Sequence, residues 1–553
     1  MRDLLASIGY GTWALPALLT WPLIGAALVL LLTPDRRLAT AGDGDAAVDS
    51  AVRAGGLDAR ALATAVLIGE AVLALALWAY FEPGVTSWQA RVEIPWIPDW
   101  GARLTLGVDG LSLVMIVLTA LLMPVAVIGS WREVRERPAA YYALLLALTT
   151  GIMGVFASLD LLLFYLCWEL VLIPMYFMIG ISGQGDRARA SLQYFIVATL
   201  GSLLMLAAIV ALWNAAGRRS LDIDQTIAAV RTTMPLGQQR LLFLGFFAAL
   251  AIKSAYFPLH SWLPGAQRSA PASAAVALGI KVGTYGMLRF ALPLFPAAAL
   301  DPALRNTVVG LAVAGILYGA LVAAAQPDLR RLASYASVSH LGFVVLGIFA
   351  LTAESMQGAM QVMLSHGISL GALFVLAGIL ERRAGTSALD AFGGLARTLP
   401  VFAVAMVVVV LSALGLPGTN GFVGEFLVLL GAFRTYPGLT VIATVGVILA
   451  AVYLLSAQQR VLFAARREPS AEAPEAVAPA SGLRDLDGRE RFALAAFAVA
   501  IVWLGVAPGA TLRRMEGPVR RIVEQVEAGA VAPAAPQAPP MPADFVPSSA
   551  SLN

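Results

Sequence analysis

The chain has 553 residues, 59% of them apolar and only 13% charged, about half the charged share of a soluble globular protein. Net charge is +3 and mean hydropathy is +0.80. This composition excludes a disordered chain, a disulfide-bonded secreted domain and an ordinary cytosolic enzyme, and gives no basic field for nucleic acid.

About 20 apolar residues cross a bilayer as a helix. Fourteen stretches are read as spans: 14–33, 61–81, 109–130, 140–158, 159–180, 191–216, 239–262, 272–295, 307–325, 333–353, 356–380, 400–432, 440–464 and 492–509. The expected class is an all-α polytopic membrane protein with the lipid bilayer as its main partner. The first stretch reads as a membrane helix, since more spans follow it, not as a cleaved leader. Between spans 2 and 3, RVEIPWIPDWGARLTL (Arg91 to Leu106) alternates in polarity and predicts a short extramembrane hairpin. Residues 466–491 and 529–553, rich in Ala and Pro, read as a flexible loop and a disordered tail.

Loops after odd-numbered spans carry 21 arginines, among them Arg36, Arg37, Arg132, Arg330 and Arg331, against eight after even-numbered spans. The positive-inside rule then puts the odd loops in the cytoplasm and both termini on the other side. Arg513, Arg514, Arg520 and Arg521, after the last span, run against that assignment.

Two spans are interrupted. AIKSAYFPLHSWLPGA (251–266) holds Pro258 and Pro264, and LSALGLPGTNGFVGEF (411–426) holds Pro417 between glycines. Proline removes a backbone donor, and irregular backbone at membrane depth persists only inside protein or beside water. A broken helix in each half of one chain points to a transporter built from repeats.

Ionisable residues inside apolar spans cost at least ~2.5–3.5 kcal/mol each on insertion scales. Glu169, Lys253, Lys281 and Glu425 lie in such spans, as do His260, His340 and His366. Glu70 and Arg289 sit where they can snorkel or pair. Of 37 basic residues only two are lysine, and both are intramembrane. Arginine keeps its proton, whereas a desolvated lysine can release one and a nearby carboxylate opposes that release. This is the chemistry of a proton relay. Ser254, Thr284, Tyr285, Ser337 and Ser339 add hydroxyls near these charges. The histidines lack metal-ligand spacing, and the single Cys167 cannot hold an iron–sulfur cluster. There is no P-loop, dinucleotide or flavin fingerprint. No cofactor or metal is therefore expected in this chain, and its energy must come from a partner or an ion gradient.

These segments carry a family resemblance. CWELVLIPMYFMIG (167–180), KSAYFPLHSWLP (253–264), KVGTYGMLRF (281–290), RRLASYASVSHLGFV (330–344), LSHGISLGALFVLAG (364–378) and LPGTNGFVGEFLVL (416–429) closely resemble the antiporter-like proton-translocating subunits of respiratory complex I, best the M-type (chain 4 in mitochondria). The resemblance implies fourteen helices, inverted repeats of spans 4–8 and 9–13, and broken spans 7 and 12. The corresponding division is 1–130 for the first three spans and the hairpin, 131–295 and 296–465 for the repeats, 466–491 for the loop, 492–528 for the last span and 529–553 for the tail. It implies that Glu169 pairs with Lys253, that Lys281 is the central relay lysine, that His340 and His366 carry protons across the middle, and that Glu425 is the exit-side acid, with His260 a weaker candidate. An acid at 425 favours the M-type, because L- and N-type relatives usually have lysine there. NADH, FMN, iron–sulfur clusters and quinone would belong to partner subunits in a bacterial plasma-membrane complex, with L-type and N-type neighbours. Two departures stand out. Leu263–Pro264–Gly265–Ala266–Gln267 replaces the family's Leu-Pro-Asp-Ala-His, and the stretch from Pro271 to Lys281 is three residues short, which would shift the lysine by ~4.5 Å along a helix. The same motifs also fit a subunit of a multi-subunit monovalent cation/proton antiporter or of a membrane-bound hydrogenase. An inert scaffold of static ion pairs is the structural alternative.

Overall fold

The computed structural model describes residues 1–33, 57–218, 220–465 and 483–529. Residues 466–482 and 530–553, most of the predicted loop and tail, lie outside the described residues, as does 34–56, where Arg36 and Arg37 fall.

The order is α1 Tyr10–Leu32, α2 Ala59–Tyr80, β1 Gln89–Ile97, β2 Ala102–Val108, α3 Gly110–Gly129, α4 Pro138–Ala157, α5 Leu161–Ser182 and α6 Arg187–Ala215. Then follow α7 Leu236–Ser254, α8 Leu263–Ser269, α9 Ala272–Gly279, α10 Val282–Gly286, α11 Pro302–Ala324, α12 Leu329–Phe349 and α13 Ala353–Ala384. α14 Pro400–Ala413, α15 Asn420–Thr435, α16 Pro437–Leu462, α17 Gly488–Val506 and α18 Gly509–Ala528 follow, and shorter helices such as Arg2–Ser7 and Ile223–Thr233 lie between these elements or before them. Aspartates mark many starts. The side chains of Asp109, Asp160, Asp301, Asp328 and Asp487 each accept from first-turn amides of the helix that follows. Such a cap is worth ~1 kcal/mol, and it fixes where an apolar run begins to coil. Asp487 forms a capping box with Glu490, so residues 488–491 of the predicted loop are helical.

The predicted hairpin is present: β1 and β2 pair antiparallel across the Pro98–Trp100 turn. Among the described residues eleven helices are long and apolar enough to cross a membrane, or twelve if α17 and α18, bent by 64°, form one span. The predicted spans 7 and 12 are missing from that count because each is cut into helices on either side of a break. Ala255, at φ +55°, ends α7, and residues 255–262 run irregularly past Pro258 to α8. Gly415 and Gly418, at φ +77° and +92°, turn the chain around Pro417 between α14 and α15. The eighth span holds an interruption that the sequence did not announce. Ile280 and Lys281 leave helical geometry between α9 and α10, and the wider turn Met287–Ala291 follows.

Burial sorts the helices. The apolar window of α13 is wholly buried, and those of α12 and of 272–294 are 94% buried, against 28% for α1 and 33% for α16. The helices that carry Lys281, His340 and His366 are therefore the protein's centre, with α3 and α4, each 83% buried, packed beside them.

Candidate functional site

Every intramembrane charge singled out in the sequence lies on, or beside, a buried helix or a break. On the first side, α5 presents Trp168 and Glu169, and Lys253 sits on the last turn of α7, just before the break. The Lys253 ammonium lies 5.2 Å from the centre of the Trp168 ring and 5.9 Å from that of Tyr194. Ring faces attract a cation electrostatically, by up to ~2 kcal/mol when desolvated. The expected direct pair with Glu169 is not formed. Glu169 is within electrostatic reach of Lys253, but the two make no ion pair within 4.0 Å, and Glu169 Oε1 has no partner among the described residues.

Lys281 is 5% exposed and lies in the interruption between α9 and α10. Gly283, two residues on, packs so tightly on α7 that a Cβ there would stand 2.3 Å from Ser254 Oγ and 2.6 Å from the Leu250 carbonyl. Only glycine permits that approach, which brings the Lys281 segment against the residue following Lys253. Thr284 Oγ1 donates to the Lys281 carbonyl at 3.3 Å and reaches Met363 Sδ on α13 at 2.9 Å. His366, one turn beyond Met363, lies within electrostatic reach of both Lys281 and His340.

On the second side the groups touch. The His340 and His366 rings, from α12 and α13, are 5.8 Å apart at 74°. His340 Nδ1 lies 3.2 Å from Glu425 Oε1 on α15. Both nitrogens of His366 and Nε2 of His340 lack partners among the described residues. These side chains, with Ser365, Ser369 and Ser412, line a cavity of about 10 Å³. That is about the room one water needs, and the lining offers it several polar partners. Gly415 also abuts the acid: a Cβ at that position would stand 2.7 Å from Glu425 Oε2.

Sequence reasoning missed the polar shell here. Ser365 Oγ donates to the Asn420 carbonyl at 2.7 Å, the Ser369 and Ser412 hydroxyls meet at 2.6 Å, and Ser412 also bonds the Asn420 side chain. The available signal was Asn420 inside the LPGTNG break and the serines four apart around His366. Apart from Thr284, the hydroxyls that the sequence did nominate are engaged elsewhere. Ser254 and Ser337 donate to carbonyls one turn back, Ser339 donates to the Ile316 carbonyl, and Tyr285 bonds Ser112, Phe156 and Arg289.

Three candidates lie off this row. His260, in the first break, stacks on Phe257 and meets Tyr318 edge-on, each with ring centres 5.0–5.7 Å away. Glu70 is fully buried, and neither carboxylate oxygen has a partner among the described residues, so it neither snorkels nor pairs. Arg289 does pair: its guanidinium holds Asp109 at 2.5 Å, and Arg521 of α18 holds the same carboxylate at 3.0 Å. Both arginines also lie on Trp88. Burial pushes the Asp109 carboxyl up, but the two arginines and the Ser112 amide outweigh it and leave it below the ordinary carboxylate value. Among the described residues no cluster of His, Cys, Asp or Glu could hold a metal ion.

A row of buried lysines, histidines and acids threaded through broken membrane helices defines a class of ion-translocating membrane protein, and sequence comparison narrows it. The family described as "NADH:quinone oxidoreductase/Mrp antiporter, TM" matches residues 158–450, and the chain belongs to it. The chain is 38% identical to the NADH-quinone oxidoreductase subunit M of Escherichia coli K12, over 77% of this chain and 83% of that protein. It is 36% identical to the F(420)H(2) dehydrogenase subunit M of Methanosarcina mazei, over 80% and 89%. A chain of respiratory complex I from Thermus thermophilus, solved with bound NADH, superposes with a TM-score of 0.80 at 30% identity, covering 93% of this chain and 99% of that one.

Proposed function

We propose that this chain is the M-type, proton-translocating membrane subunit of a bacterial NADH–quinone oxidoreductase of the plasma membrane, and that it carries protons without redox chemistry of its own. The observation that carries this reading is a chain of neighbours: Glu169 acts on Lys253 through space, the Lys281 segment packs against Ser254, His366 is within electrostatic reach of Lys281 and His340, and His340 meets Glu425. NADH, FMN, iron–sulfur and quinone chemistry then belongs to partner subunits, with L-type and N-type antiporter-like subunits as neighbours. Fourteen spans follow if each broken pair counts as one, with repeats at 131–295 and 296–465, each holding one of the two proline-marked breaks.

In this reading Glu169 sets how firmly Lys253 keeps its proton, acting through space. Lys281 is the exchange point between the halves, because its backbone sits against α7 on one side and its charge reaches α13 on the other. His366 accepts a proton at a free nitrogen and passes it to His340 through the single water that fits between them. His340 hands it to Glu425 Oε1, the acid beside the second break, which in this reading is the exit-side site. Arg289 and Glu70 are outside the path. His260, boxed by aromatic rings, orients the first break.

The electron donor is the open choice within the reading, since M subunits of this kind occur with NADH and with F420H2 partners. The deciding experiment is purification of the tagged chain from native membranes in mild detergent, followed by a native gel stained for NADH dehydrogenase. Co-migration with NADH-oxidising activity supports the assignment. A complex of membrane subunits without that activity moves it to an antiporter or to another electron donor.

A further inference from the structure

Away from the relay, an apolar groove of about 610 Å³ lies between α2, α3, α13 and α17. Its walls include Leu75, Val114, Leu121, Phe492, Val499 and Trp503. It is open to the membrane: Phe492 is 61% and Val499 69% exposed. Along α3 it runs from Val114 to Val125, about 16 Å at a helical rise of ~1.5 Å per residue. That is the depth of one leaflet, half of a ~30 Å hydrocarbon core.

The two ends of the groove differ. At the end nearest the hairpin stand Trp78 and Trp503, the ring type that settles at headgroup level. Behind Trp78 comes α18, turned 64° from α17, with Arg513 and Arg514 on its first turns. The Arg514 guanidinium lies 3.8 Å from the centre of the Trp78 ring. Gly110, at the start of α3, touches the Arg514 carbonyl so closely that no Cβ fits there. Arg514 donates to the Ala510 carbonyl, its Nε has no partner among the described residues, and neither arginine has a carboxylate partner there. The nearest acid on α18, Glu516, is taken by Arg520 at 3.0 Å.

We propose that this groove binds one acyl chain of an anionic glycerophospholipid, with its phosphate held by Arg513 and Arg514. The length of the groove fits a single-leaflet chain, its wall is apolar throughout that depth, and Arg514, on the Trp78 ring at the groove end, with Arg513 beside it in sequence on α18, brings two arginines without carboxylate partners among the described residues to the end where the phosphate of that chain lies. A neighbouring subunit's helix would leave those arginines unneutralised, whereas the lipid brings the matching charge with it. The site is independent of the proton row.

The test uses the intact complex in lipid nanodiscs doped with phosphatidylglycerol or phosphatidylcholine carrying a photoreactive group on the acyl chain. Cross-linked peptides from 110–129 and 488–506 are then counted by mass spectrometry. The expected result is preferential labelling by the phosphatidylglycerol probe, falling about fivefold for each arginine replaced in Arg513→Gln and Arg514→Gln, the effect of ~1 kcal/mol per basic residue at a membrane surface. Equal labelling by the two head groups would mean ordinary boundary lipid and would overturn the proposal. So would peptides of another subunit cross-linked to the groove in place of lipid. If the arginine variants do not assemble, the head-group comparison on the unaltered complex decides.

Discussion

The two broken helices share a backbone device and differ in what they hold. At the first break Lys253 rests against two aromatic faces, and Glu169 stands off without a direct bond. At the second, Glu425 is in contact with His340 and surrounded by serines and Asn420 beside a water-sized cavity. A cation held by ring quadrupoles is loosely tuned by a distant acid. An acid in contact with an imidazole is within direct hydrogen-bond reach of it. The comparison teaches that one architecture, a helix interrupted within the bilayer, can hold a charged residue in two ways, against ring faces or in direct contact with a second titratable side chain.

Four measurements break or sharpen this contrast. The largest effect is expected at Lys253, the lysine at the first break, which in the proposed relay takes up and releases the proton itself. Lys253→Ala should lower NADH-driven proton uptake into sealed vesicles by about 10²-fold, the lower end of what a positioned proton-transfer group contributes. Lys253→Arg should not rescue it, because a guanidinium keeps its proton. Full coupled activity in either variant would sink the role given to this residue.

Next comes the comparison of acids. Glu425→Gln removes a direct partner of His340, a hydrogen bond to a charged group worth ~1.5–3 kcal/mol, so pumping should fall roughly ten- to a hundredfold with a displaced pH profile. Glu169→Gln removes only a through-space influence and should cost less, with partial pumping retained. If the two variants are equally impaired in the same vesicle assay, the asymmetry between the breaks carries no functional meaning.

Smaller again is Trp168→Leu. It removes one ring face from Lys253, worth ~0.5–2 kcal/mol, and should change the pH at half-maximal pumping by up to about one unit without abolishing turnover. An unchanged pH profile would show that the aromatic seat is packing alone.

The smallest effect on pumping, with a clear effect on stability, is expected at Asp109, which precedes α3. Its folded-state value is depressed, so the stability it contributes is present above its unfolded value near 3.8 and is lost as pH falls through the lower folded value. Thermal melting of the purified complex should therefore lose stability on the acid side of pH 4. Asp109→Asn should remove that dependence and lower the melting temperature at neutral pH, because it leaves two arginines without their shared carboxylate. A variant that melts like the parent at pH 7 would show that the clamp does not hold α18.

Much of this was legible in the sequence, for definite reasons. Pro258, Pro417 and the glycines flanking the latter announce their breaks because they remove donors or adopt positive φ. Glu169, Lys253, Lys281 and Glu425 announce themselves because charge is rare in an apolar run. The hairpin showed through strand-period alternation. The interruption at Ile280 and Lys281 did not, since neither residue is a helix breaker and the distortion is imposed by packing against α7. The gap between Glu169 and Lys253 was also hidden: neighbouring helices bring the two near, but side-chain direction decides whether they touch. Serines 365, 369 and 412 read as ordinary membrane-helix residues, which usually bond their own backbone. Asp109, Arg289 and Arg521 are separated by 180 residues or more, and no local pattern joins them.

The hollow between His340, His366 and Glu425 has one further consequence. About 10 Å³ admits a single water, never a file of them. A continuous thread of water across this centre would short-circuit the very gradient that such a complex builds. At rest, then, the chain is an insulator with conducting groups embedded in it. In the proposed relay a proton crosses by way of side chains and that one water, so leak tightness and transfer depend on the same few cubic ångströms.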